Sequence, residues 1–167
     1  TWTQEIDVPE KNVNCFLTTA NRTFLQAGDK GKIYEYTGAS ITPFKRIPRD
    51  DAVQGPEDTL TYPQSSANYE GMGYFGVSNT GGQNIPSPGL YALGRKNEQY
   101  PISLSHQFVP SISSLNAMHI GAVIAGRHAA SGIPYLVFAW NRSSTSGFGV
   151  DSIHSVTNRY SGAYIET

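Results

Sequence analysis

The chain has a single cysteine, Cys15, among 167 residues, so an intrachain disulfide framework is excluded. Its neighbours Phe16 and Leu17 give it the setting of a small buried apolar residue. A catalytic thiol would need a His or Asn partner, and no local signature supplies one. Charge is also scarce. Asp, Glu, Lys and Arg make up 15% of the residues and the formal net charge is -1, so the basic face of a nucleic-acid binder is not expected. No run of eighteen apolar residues is present, and a transmembrane helix is not expected. The first residues carry neither the charged start nor the apolar core of a secretory signal. No segment of eleven or more residues has apolar side chains at the 3.6-residue period. One helical turn at Ser113–Asn116 is the most the pattern allows, so helix content near zero is expected.

Glycine (17), proline (10), tyrosine (10) and phenylalanine (7) are plentiful instead. Aromatic and β-branched residues suit a pleated, half-buried surface, and glycine and proline supply turns. This is the profile of an all-β chain. Charge is unevenly spread: residues 1–70 hold ten acids and seven bases, and residues 71–167 hold three acids and five bases. The difference is too small to name a partner.

The stretch Gly89-Leu90-Tyr91-Ala92-Leu93-Gly94 follows the apolar run Tyr74-Phe75-Gly76-Val77 and a Gly/Pro/Ser/Asn-rich connection. Fifty-eight residues earlier, Gly31-Lys32-Ile33-Tyr34-Glu35-Tyr36 follows Thr23-Phe24-Leu25. Fifty-eight residues later, Gly147-Phe148-Gly149-Val150 follows Tyr135-Leu136-Val137-Phe138-Ala139-Trp140. An apolar strand, a turn, a glycine and a second short strand thus recur at one interval. Such self-similarity is the mark of a repeat architecture. Each unit has room for four short hairpin-linked strands, and the expected fold is a β-propeller segment of about three four-stranded antiparallel blades. Residues 1–12 form a lead-in strand or linker. Residues 13–167 form the propeller segment, with blades at about 13–48, 64–109 and 117–157. Tyr160–Thr167 could add one more strand. A non-repeating sandwich or barrel is the competing reading.

Within this scheme Leu90 and Tyr91 should face opposite sides of a central strand. Pro43 suits an edge strand. Gly73, Gly76, Gly121 and Ala122 should permit close backbone approach near an axis. Three units make an open arc with exposed edges, so the remaining blades are expected from further residues of the same polypeptide or from other chains. The start at Thr1 agrees with a processed chain or a piece of a longer one.

The segments 27–38 (AGDKGKIYEYTG), 68–79 (NYEGMGYFGVSN), 88–101 (PGLYALGRKNEQYP) and 147–151 (GFGVD) resemble propeller-like regions of tailed-bacteriophage virion proteins. The likeness spans roughly residues 15–155. It implies a non-enzymatic structural component of the virion, in the tail or adsorption apparatus, whose partners are other virion proteins. The alternative is a propeller that binds or cleaves host-surface glycan, as an adhesin or a sialidase-like enzyme. Such an enzyme needs several converging carboxylates or arginines, and three acids in residues 71–167 disfavour it.

No catalytic residue, cofactor or metal site is predicted. Asp50, Asp51, Glu57 and Asp58 share one loop but lack the spacing of a calcium loop. His106, His119, His128 and His154 have no close ligand spacing, although His119 and His128 could meet across a hairpin. The sequons Asn21-Arg22-Thr23 and Asn141-Arg142-Ser143 match chance expectation. Gly28-Asp29-Lys30-Gly31 lacks the helix a phosphate loop requires. Tyr62, Tyr69, Tyr74, Tyr91 and Tyr100 read mainly as packing residues, with a sugar-stacking or partner surface as the other use. Function in a rigid scaffold usually lies on loops, here 49–63, 79–88 and 126–134.

Overall fold

In a computed structural model, residues 5–47, 61–78, 88–95, 97–108, 118–142 and 147–154 are described. All regular structure among them is β, in eleven strands and three antiparallel sheets. The first sheet is a meander of β1 (Val13–Thr19), β2 (Arg22–Ala27), β3 (Lys32–Tyr36) and β4 (Ile41–Arg46). The second repeats it with β5 (Ser66–Tyr69), β6 (Met72–Val77), β7 (Gly89–Gly94) and β8 (Ser103–Phe108). The third contains β9 (Met118–Arg127), β10 (Pro134–Arg142) and β11 (Phe148–His154). The interval read from the sequence falls on one position of each sheet: Gly31, Gly89 and Gly147 stand at the start of the third strand.

Among the described residues the third sheet has three strands, where four were expected. The last strand is longer than its apolar run, since β11 continues past Val150 through Asp151 and Ser152 to His154. Those polar residues resemble a turn, yet both hold ladder positions opposite Phe138 and Val137. The Trp140 indole N–H also donates to Asp151 Oδ2 at 2.9 Å. Tyr160–Thr167 and the Ser113–Asn116 turn lie outside the described residues.

The first two sheets open alike. Thr19 and Arg22 are paired across Ala20-Asn21, and Tyr69 and Met72 across Glu70-Gly71. All four loop residues have positive φ, the two-residue turn whose twist matches that of the flanking strands. Pro43 does lie on an edge strand, β4, where its missing N–H breaks no ladder.

The second sheet lies between the other two and is buried on both faces. Phe75, Val77, Tyr91 and Leu93 pack with Cys15, Leu17, Phe24, Ile33 and Ile47 of the first sheet. Tyr69, Tyr74, Leu90 and Ala92 pack with Met118, Ile120, Val123, Leu136, Phe138 and Ile153 of the third. Leu90 and Tyr91 therefore serve two different cores, as alternation requires. This also explains why β7 reads as a continuous apolar run.

Two of the four small residues provide close approach. A Cβ on Gly73 would come within 2.9 Å of the Leu17 side chain, and one on Gly76 within 2.2 Å of Ile120. Gly121 and Ala122 do not act this way. They sit at a bulge between β9 and β10. A Cβ on Gly121 would meet Ala139 at an ordinary 3.6 Å, and Ala122 is exposed.

The sheets approach each other chiefly along β1, β5, β6 and β9, with a smaller contact to β7. Polar bonds bind the free edges of β1 and β9 to the middle sheet. The Thr18 amide donates to Asn68 Oδ1 at 3.1 Å, Thr19 Oγ1 donates to the Gly71 carbonyl at 2.7 Å, and the Val123 amide donates to the Gln64 carbonyl at 2.9 Å. An edge strand covered in this way cannot template further pairing at those groups. No helix among the described residues is long and apolar enough to cross a membrane.

Candidate functional site

Two concave regions lie beside the middle sheet. The first has a volume of about 360 Å³ and opens between the first and second sheets, away from their line of closest approach. Ala20 of the β1–β2 turn, Arg22, Phe44, Lys45, Arg95 and Tyr100–Ile102 line it. Phe44 arrives there through a bulge: Ile33 is paired with Lys45 and Tyr34 with Pro43, which leaves Phe44 as the extra residue. Bulges commonly re-aim a side chain, and the Phe44 ring lies 4.7 Å from that of Phe24.

This groove is cationic. The Arg22 guanidinium makes a two-pronged ion pair with Glu35 and lies 5.3 Å from the centroids of both Phe24 and Phe44. The hydrogen bonds from Arg22 hold the Glu35 carboxyl below the usual carboxylate range, and those to Glu35 raise the Arg22 pKa. Lys45 Nζ stands 5.4 Å from the Phe44 centroid. Neither Lys45 nor Arg95 forms an ion pair with a carboxylate among the described residues.

The second region, about 490 Å³, lies at the opposite ends of the strands and is lined by Tyr62, His119, Ile120, Gly121, Ala139, Trp140 and Asn141. Tyr62 Oη is 3.5 Å from His119 Nδ1. The indole N–H of Trp140 is already committed to Asp151, so the ring can offer only an apolar surface here.

The histidines do not converge. His119 is the second residue of β9 and His128 follows its last, so they are separated by roughly 30 Å of extended strand. His128 instead orders its own turn, with Ser131 Oγ 3.1 Å from His128 Nδ1. His106 stacks on Tyr91 with centroids 4.5 Å apart, and the His154 side chain lies outside the described residues. No group of three His, Cys, Asp or Glu is placed to hold a metal among the described residues. Cys15 is buried, and burial pushes its thiol up to about 12. Asn21 of the first sequon is exposed at its turn, and Ser143 of the second lies outside the described residues.

Of the five tyrosines, Tyr69, Tyr74 and Tyr91 belong to the cores, while Tyr62 and Tyr100 line the two concave regions. The loop 126–134 is a short hairpin connection closed by the Gly132 amide donating to the His128 carbonyl. Asp50, Asp51, Glu57 and Asp58, most of 49–63, and 79–87 lie outside the described residues. Sequence reasoning missed the first groove, because its lining is gathered from three separated segments and matches no motif. The chain has no significant match to a protein-family model, a curated protein or a solved structure.

Proposed function

We propose that the chain is an arc of a β-propeller serving as a non-enzymatic scaffold for protein–protein contact, in a virion tail or adsorption apparatus. One observation carries the scaffold reading. The middle sheet is covered on both faces, whereas the third sheet leaves Ile124, Val150 and Phe148 61%, 68% and 82% exposed. Ile124 is paired with Val137, and Val150 with Ala139, so an apolar surface crosses the three strands on the side away from the second sheet. A sheet of this kind is stable when a neighbour covers it, as each propeller blade is covered by the next. Close approach concentrated on β1, β5, β6 and β9 agrees with blades fanning from an axis. The virion assignment rests on the sequence resemblance.

Sedimentation velocity tests the arc. The expected result is self-association of the purified chain at micromolar concentration, and a monomer for the Phe148→Lys/Val150→Lys variant. A wild-type chain that stays monomeric at high concentration would overturn the reading. Immunogold labelling of purified virions tests the location: decoration of the tail is expected, and absence of the chain from particles would remove the virion assignment.

A further inference from the structure

We infer that the groove between the first and second sheets binds an acidic sugar, a carboxylate-bearing ring of a glycan chain. Three cations face it, and one of them, Arg22, is committed to Glu35. Lys45 and Arg95 remain without a carboxylate among the described residues. Two such charges at one concave surface favour an anion, and the arginine fork matches a carboxylate in particular.

A bare inorganic ion would leave the rest of the groove unused. Beside the cations stand Phe44, Pro101, Ile102 and Tyr100, and Tyr100 is 55% exposed. An exposed tyrosine offers an apolar ring with a polar tip, which suits the C–H face of a pyranose and its hydroxyls. The volume, about 360 Å³, falls in the lower part of the range of small-molecule sites, roughly 300–1,000 Å³. Its position is set by the fold, since the first two sheets close along β1, β5 and β6 and the groove opens where they part.

The test is calorimetric titration of the full chain with trigalacturonate, sialyllactose, a neutral galactose trimer and inorganic phosphate. Saturable binding of at least one acidic sugar is expected, at least tenfold tighter than the neutral trimer and phosphate. Arg95→Ala and Lys45→Ala should each weaken it about tenfold, and Tyr100→Ala severalfold, with unchanged near-ultraviolet circular dichroism. Arg95→Gln serves as a second variant if Arg95→Ala alters the fold. Absence of saturation with both acidic sugars would overturn the inference, as would equal affinity for the neutral trimer or phosphate. Affinity unaffected by both cation substitutions would do the same.

Discussion

Ser78 and Ile120 exchange hydrogen bonds between two sheets. The Ile120 amide donates to Ser78 Oγ at 2.8 Å, and the hydroxyl donates to the Ile120 carbonyl at 3.5 Å. Both residues are fully buried. Among the described residues β9 is an edge strand, and Ser78 satisfies this amide on its open side. Ser78→Ala leaves a buried donor without an acceptor, a loss of about 1–3 kcal/mol. Urea unfolding should register that loss, and amide exchange at Ile120 should accelerate more than at Leu136. Unchanged stability would mean that water or a shifted backbone takes over the role of Ser78.

Gly89 opens β7 with φ of +148°. A Cβ there would lie 2.3 Å from the Phe108 carbonyl oxygen and 2.6 Å from His106 Nε2. Gly38 also has a positive φ, of +88°, but nothing lies within 4 Å of its added Cβ. Gly38→Ala therefore isolates backbone strain, about 1–3 kcal/mol. Gly89→Ala adds overpacking of about 1–3 kcal/mol more. Thermal unfolding of the two variants should rank Gly89→Ala as clearly the less stable, and equal losses would refute the steric argument.

Much of the fold was legible because alternation and turn residues are local. Val13–Thr19, Lys32–Tyr36 and Ser66–Tyr69 could be delimited from their residues alone, and the opposite faces of Leu90 and Tyr91 follow from strand geometry. What was not legible depends on partners distant in sequence. Asp151 and Ser152 look like a turn until Phe138 and Val137 stand opposite them. Gly121 resembles Gly73 and Gly76, but only the latter two meet a side chain of another sheet. The cationic groove joins Arg22, Phe44 and Arg95 through a bulge and a sheet interface. Neither can be read from the spacing of those residues.

Acid should weaken the fold through two carboxylates, Glu10 just before β1 and Glu35 of β3. Glu10 accepts hydrogen bonds at 2.7 Å from both Lys32 and Tyr34, and the Lys32 bond is the larger cause of its lowered pKa. Glu35 is lowered by Arg22. A pKa lowered by folding means that the folded state binds the proton less tightly than the unfolded state. The resulting stability is present above the unfolded carboxylate value, about 4.3, and is lost as pH falls through the folded value. Denaturation midpoints should therefore hold steady from pH 7 to 5 and decline below about 4.5. Glu10→Gln should flatten part of that decline. Because these groups are partly exposed, the effect should shrink in high salt. A decline of equal depth in the Glu10→Gln/Glu35→Gln double variant would place its origin elsewhere.

Cys15 should be chemically silent while the chain is folded. Its side chain packs with Leu17, Phe24 and Ile33 in the core between the first two sheets. Burial, the largest cause, pushes its pKa up to about 12. The reactive species is the thiolate, and an ordinary thiol has a pKa of about 8.5, so at pH 8 almost no thiolate forms in the folded state. A disulfide reagent at that pH should react slowly with native protein and at once in 6 M guanidinium. Its native rate should track global unfolding and rise in Gly89→Ala. A raised folded pKa favours the fold fully below the unfolded value, and that contribution is lost as pH climbs towards about 12. Stability should thus fall above roughly pH 8.5, and Cys15→Ala should remove this thiol's share of the fall, at a cavity cost of its own. Rapid stoichiometric labelling of native protein at pH 8 would contradict the buried position of the thiol, and with it the packing of β1 against the middle sheet.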